Sequence, residues 1–193
     1  MSGVGWLRYN LAMNSFESLR AAVNDALGKA LSPYKAYLAG WAGADVLLVK
    51  SVPSQAELEQ GSPFCGEDLT ALLAALESLG WGQDNWCGVL TAAPNQKVLP
   101  TSDLRLIIEI NDPMLIITLD ENARLALLQA LDSGDKNKGL SPKTNSPTTF
   151  AVGEISSASG RQLLALSDFE ASLADEQSKQ QVWAQLKQIS RSS

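Results

Sequence analysis

The chain has 193 residues, 45 % of them hydrophobic, with 15 Lys and Arg against 21 Asp and Glu and no His, for a formal net charge of −6. That length and apolar fraction suit one globular domain with a sizeable core. The lack of His excludes Ser-His-Asp and Cys-His nucleophilic catalysis, His proton shuttles and His metal ligands. The acid excess argues against a surface that grips phosphates by charge neutralisation, and two Cys cannot supply a four-Cys zinc or iron–sulfur site.

The opening residues, MSGVGWLRYN, lack the long apolar run of a secretory signal. The longest apolar stretch, LRLIIEINDPMLIITL, is interrupted by Arg105, Glu109, Asp112 and Pro113, which predicts no membrane span. These features predict a cytoplasmic protein whose Cys65 and Cys87 stay reduced.

Residues 1–43 form an aromatic-rich N-terminal helical region holding six of the twelve aromatics: Trp6, Tyr9, Phe16, Tyr34, Tyr37 and Trp41. Ser15 caps a predicted helix that runs to about Leu31 and is stopped by Ser32-Pro33. ADVLLVK (44–50) has the unbroken apolar character of a strand buried on both faces. A long loop, SVPSQAELEQGSPFCGE, follows, then a helix from about Asp68 to Gly80. NWCGVLTA (85–92) predicts the second strand. Thr101-Ser102 cap a helix over DLRLIIEIN, and MLIITL (114–119) predicts the third strand. Asp120 caps the helix ENARLALLQAL. Residues 133–147, SGDKNKGLSPKTNSP, predict a flexible polar insert. TTFAVGEI (148–155) and RQLLALS (161–167) predict further strands, and a last helix over 175–190 carries Val182, Trp183, Leu186 and Ile189 on one stripe. Strands alternating with helices imply an α/β fold, three-layer αβα with a central, mainly parallel four-stranded sheet. No internal repeat divides the chain, so 1–193 is a single domain with its core in 44–190.

Catalytic motifs are scarce. There is no GxGxxG after a strand, no GxxxxGK[ST] and no GxSxG. The pairs Glu67/Asp68 and Asp175/Glu176 stand at predicted helix starts, where carboxylates offset the helix dipole. Lys136, Lys138 and Lys143 lie in the polar insert, where a solvated loop accounts for them.

Order and spacing carry one resemblance. The segment VLLVKSVPSQAELEQGSPFCGEDLTALLAALESLGW, with Val49, Pro53, Glu57, Gly61, Pro63, Phe64, Gly66, Leu72 and Gly80, resembles the uracil-DNA glycosylase superfamily, whose thermophile-type branches have a strand, GExPG, an acidic stretch, GxPFxG and a Leu-rich helix. GVLTAAPNQKVLP, the helix–strand–helix run of 103–131 and LALSDFEASLADEQSKQQVWAQLKQI extend the likeness over residues 44–190. The resemblance implies a glycosylase-like fold with Phe64 as the base-stacking candidate. It also implies that the site residues are degenerate. Ser51 stands at the water-positioning acid, Gly88 at the base-reading Asn and Asp168 at the catalytic His, while the cluster-binding Cys have no counterparts. A departing base carries negative charge that a donor must stabilise, and an Asp at that place opposes it. Residues 57–84, the approach to DNA, hold Glu57, Glu59, Glu67, Asp68, Glu77 and Asp84 and no Lys or Arg.

A non-catalytic family on that fold, the psi subunits of bacterial DNA polymerase III, is similar in its terminal segment: SDFEASLADEQSKQQVWAQL matches at Leu173, Lys179, Val182 and Trp183. This likeness implies a replication protein without catalytic residues, metal or cofactor, bridging the clamp loader and the chi subunit and making weak or no direct contact with nucleic acid. Trp6, Leu7, Arg8 and Trp183 are its partner-binding candidates. The residues leave open an active base glycosylase of DNA repair with divergent site residues, or a small-ligand binder at the strand ends.

Overall fold

The computed structural model describes residues 22–23, 25–132 and 150–189. The Ser15 cap, Trp6, Leu7, Arg8 and the 133–147 insert lie outside them.

Helix α1 (25–31) ends in a short 3-10 turn, Ser32–Tyr34, that Pro33 initiates. Strands β1 (Leu38–Gly40) and β2 (Val46–Lys50) follow, then helices α2 (Gln55–Gln60) and α3 (Glu67–Ser78). Next come β3 (Trp86–Leu90), α4 (Thr101–Asn111), β4 (Leu115–Thr118) and α5 (Glu121–Asp132). The described chain closes with β5 (Ile155–Ala158), β6 (Arg161–Ala165), α6 (Phe169–Ser172), α7 (Glu176–Leu186) and a 3-10 turn, Lys187–Ile189. The sheet has six strands in the order β1-β3-β2-β4-β6-β5. β3, β2, β4 and β6 are parallel, and an antiparallel strand closes each edge. The expectation of four strands is thus corrected to a six-stranded mixed sheet around a parallel centre.

The apolar runs explain that centre. Every residue of β2 and of β4 is buried, as strands covered on both faces require. Alternation divides them: Leu47, Val49 and Ile116 meet α4 and α5 through Leu104, Ile107, Ile108, Ala123 and Leu127. Val46, Leu48 and Ile117 meet α3 and α7 through Leu72, Leu76, Val182 and Leu186. Helices therefore cover both faces, in three layers. Full burial of each of these Leu, Ile and Val side chains contributes about 1.5–3 kcal/mol.

Local chemistry sets the helix ends. Asp175 accepts a hydrogen bond from the Ser178 N–H at 3.0 Å and caps α7. α4 stops at Asp112, whose φ of 45° is left-handed, just before Pro113. Its first residue is Thr101, with no side-chain cap at its N-terminus, so Thr101 and Ser102 lie inside the helix and do not cap it. The predicted strand 148–155 also shifts: β5 begins at Ile155, in antiparallel register with Leu164 of β6, while the Phe150 side chain is buried in the core.

Candidate functional site

The chain leaves β2 toward the α3 face and leaves β4 toward the α5 face. Such a reversal opens a crevice at the carboxyl ends of the strands. A cleft of about 410 Å³ lies there, lined by Lys50–Ser54, Asp68, Leu119–Asn122 and Ser167–Glu170.

Backbone donors organise its carboxylates. The Ser51 N–H donates to Asp120 Oδ2 at 2.7 Å, and the Ala123 N–H donates to Asp120 Oδ1 at 2.8 Å, capping α5 as its sequence predicts. Asp168 is bridged to Asp120 across the neighbouring strand ends. Its Oδ1 accepts from the Ala171 N–H at 3.0 Å and caps α6. Ser51 and Asp168 thus converge on one cleft, with Ser51 held by its backbone and Asp168 serving a helix end.

Lys50 is the cation of this region, and three carboxylates surround its Nζ: Glu57 at 3.0 Å, Glu170 at 3.3 Å and Asp68 at 3.8 Å. Burial pulls the Lys50 pKa down, but the Glu57 hydrogen bond and the fields of Glu57, Glu170 and Asp68 outweigh it, leaving the amine above its ordinary value. The Glu57 carboxylate is buried and fully engaged: it also accepts from the Ser54 N–H, within a capping box, and from the Phe64 N–H at 2.7 Å. No acid in this set is left as a buried, unengaged base.

Gly88 and Phe64 meet elsewhere. Gly88 lies inside β3, paired with Leu48 of β2, and the Phe64 ring covers it so closely that a Cβ added at Gly88 would stand 2.6 Å from a ring carbon. Phe64 holds a left-handed φ of 54°, is 5 % exposed and packs against Trp86 with ring centroids 6.1 Å apart. Behind Lys50, between Phe64, Leu72, Leu119 and Phe169, only about 10 Å³ remains, room for no more than one water. The base-stacking candidate is thereby a core side chain over the position assigned to base reading.

Trp183 is half-buried against the α3–α7 core, with Lys187 Nζ 5.1 Å from its ring centroid. Burial pushes the Cys87 thiol up to about 12. Burial, then Glu57 and Asp68, raise Cys65 as well, so neither is an activated thiolate. Among the described residues no group of three His, Cys, Asp or Glu can hold a metal ion, and no helix is long and apolar enough to cross a membrane. The sequence reading missed the Lys50–Glu57 pair and α2. Their signal was Ser54-Gln55-Ala56-Glu57, the S-x-x-E of a capping box. No protein-family model and no curated protein matches the chain.

Proposed function

We propose that this protein is a catalytically silent, uracil-DNA glycosylase-like scaffold that acts as a protein–protein interaction subunit in DNA replication, in the manner of the psi subunits of DNA polymerase III. The observation that carries this reading is the Phe64 ring seated on Gly88. A flipped base needs an open slot with a stacking face and a reading side chain, and here one aromatic side chain fills the space that both would use. The charge of the cleft supports the same reading. Asp68, Asp120, Glu121, Asp168 and Glu170 line it beside Lys50, a field that repels both phosphates and a departing base anion.

The test has two arms. Incubation of the protein with DNA containing uracil, hypoxanthine or mismatched bases is expected to release no base; release that Asp168→Ala abolishes would overturn the reading in favour of an active repair glycosylase. Size-exclusion of the protein mixed with clamp loader and chi subunit is expected to give a joint complex. Failure to retain either one removes the psi-like assignment while leaving the non-catalytic scaffold standing.

A further inference from the structure

Polar groups at the strand-end cleft remain open after the protein's own hydrogen bonds are made. Ser51 is only 9 % exposed, and its backbone is fully engaged. Its N–H donates to Asp120, and its carbonyl accepts from the Ala92 N–H at 2.8 Å and the Thr91 hydroxyl at 3.3 Å. The Ser51 Oγ has no partner among the described residues, and it is not sealed in the interior, because Ser51 lines the cleft. Buried polar groups are satisfied as a rule, so a hydroxyl left over on a buried residue and turned to a cavity points to an occupant. Beside it, at the mouth, exposed Asp168 accepts from the Ala171 N–H through Oδ1 alone. Asp120 takes one backbone N–H on each oxygen, and each of those oxygens keeps a further lone pair. No cation among the described residues pairs with either carboxylate: Lys50 is taken by Glu57, Glu170 and Asp68, and Arg124 by Glu121.

We propose that this cleft binds an alkylammonium group, which donates to the Ser51 hydroxyl and to the carboxylates of Asp168 and Asp120 while its methylene stem lies along Val52 and Pro53. Charge selects a cation, since five carboxylates line the cleft against the single Lys50, and an anion meets a repelling field. A bare metal ion does not fit, because no group of three His, Cys, Asp or Glu among the described residues can hold one. A guanidinium is best met by both oxygens of one carboxylate in a fork, but Asp168 Oδ1 and both oxygens of Asp120 already hold backbone donors. An ammonium carries three separately directed donors and needs only single acceptors on separate groups. The volume of about 410 Å³ accommodates a small organic group. Val52, 56 % exposed at the wall, offers the apolar ledge along which a methylene stem packs while its charged head stays polar. A free aliphatic amine and a lysine side chain of a partner protein present this same group. The seat does not depend on the proposed function: a cleft that holds an amine remains whether or not the chain joins a replication complex.

The test titrates the full-length, nitrogen-15-labelled chain with butylammonium chloride and, separately, with a capped Ala-Lys-Ala peptide, following amide chemical shifts at constant ionic strength. Saturable shifts at the Ser51 and Ala171 amides are expected. Saturation by butylammonium makes a free amine sufficient, and saturation by the peptide alone assigns the seat to a partner's lysine; either result supports the proposal. Saturation by neither overturns it, as do equal shifts with magnesium chloride or tighter binding of butylguanidinium. Two variants locate the site. Asp168→Asn keeps a good helix cap and removes the charge, and it is expected to weaken binding about tenfold. Ser51→Ala removes only a hydroxyl that the described residues do not use and is expected to weaken binding by a few-fold. Undiminished binding in both variants would also overturn the proposal.

Discussion

Replacement of Lys50 by Met isolates the ion pair at the cleft. Met keeps the apolar stem and removes the ammonium, leaving Glu57, whose side chain is 1 % exposed, without its counter-ion. Breaking one side of a buried pair costs about 3–5 kcal/mol because the remaining charge is uncompensated. Here the Ser54 and Phe64 N–H groups still donate to Glu57, so the cost falls at the lower end, about 3 kcal/mol. Glu170, with a side chain 55 % exposed, recovers most of its loss from water. With a urea slope of about 2 kcal/mol/M, that cost lowers the unfolding midpoint by about 1.5 M. The assay is urea unfolding followed by circular dichroism, with Lys29→Met as control. Lys29 pairs with Asp25 at side-chain exposures of 76 % and 65 %, and its loss is expected to cost no more than about 0.5 kcal/mol. If Lys50→Met moves the midpoint no further than Lys29→Met, the Lys50–Glu57 pair is a solvated contact and the reasoning fails.

Gly88→Ala forces a methyl into the Phe64 ring and is expected to cost about 1–3 kcal/mol, while Phe64→Ala alone costs about 3–5 kcal/mol. Because the second change removes the obstacle to the first, the double variant is expected to be more stable than the sum by about 0.5–3 kcal/mol; additive urea midpoints would refute the seating of the ring. The Lys50 pKa is raised in the folded state, so its contribution is complete below the unfolded value of about 10.4 and is lost as pH rises through the higher folded value. Alkaline unfolding of the native chain should therefore steepen above that pH, and Lys50→Met should lack the added steepness; superimposable profiles would count against it.

The parts of this fold written in local sequence are the ones with a strong period. VLLV and LII are continuous apolar runs, and they make up most of the two central strands. β1 escaped notice because Leu38-Ala39-Gly40 is three residues long and is made a strand by pairing with Val89, Gly88 and Cys87, partners that no local window contains. β5 was displaced for the same reason. Ile155-Ser156-Ser157-Ala158 is less apolar than TTFAVGEI, but the tight turn at Ser159-Gly160, both at positive φ, fixes which residues face β6. At the site, Ser51 and Asp168 could be placed near each other because both follow parallel strands. The contact of Phe64 with Gly88 could not, since it depends on a left-handed backbone at Phe64 that Glu57 holds through a hydrogen bond.

The two antiparallel edge strands bear on how the protein behaves in a crowded solution. An all-parallel sheet of Val, Leu and Ile would expose long apolar margins with unpaired amides, open to recruiting further chains. Here the margins are three and four residues long. One ends at Gly40, whose φ of 78° bends the chain away, and the other carries Ser156 and Ser157 in its middle. Neither offers the four-residue apolar run, Val46–Val49, that β2 would present. The most aggregation-prone segments of the sequence are thereby kept two strands from any edge on the β1 side and two on the β5 side, a protection that loss of either short strand would reduce.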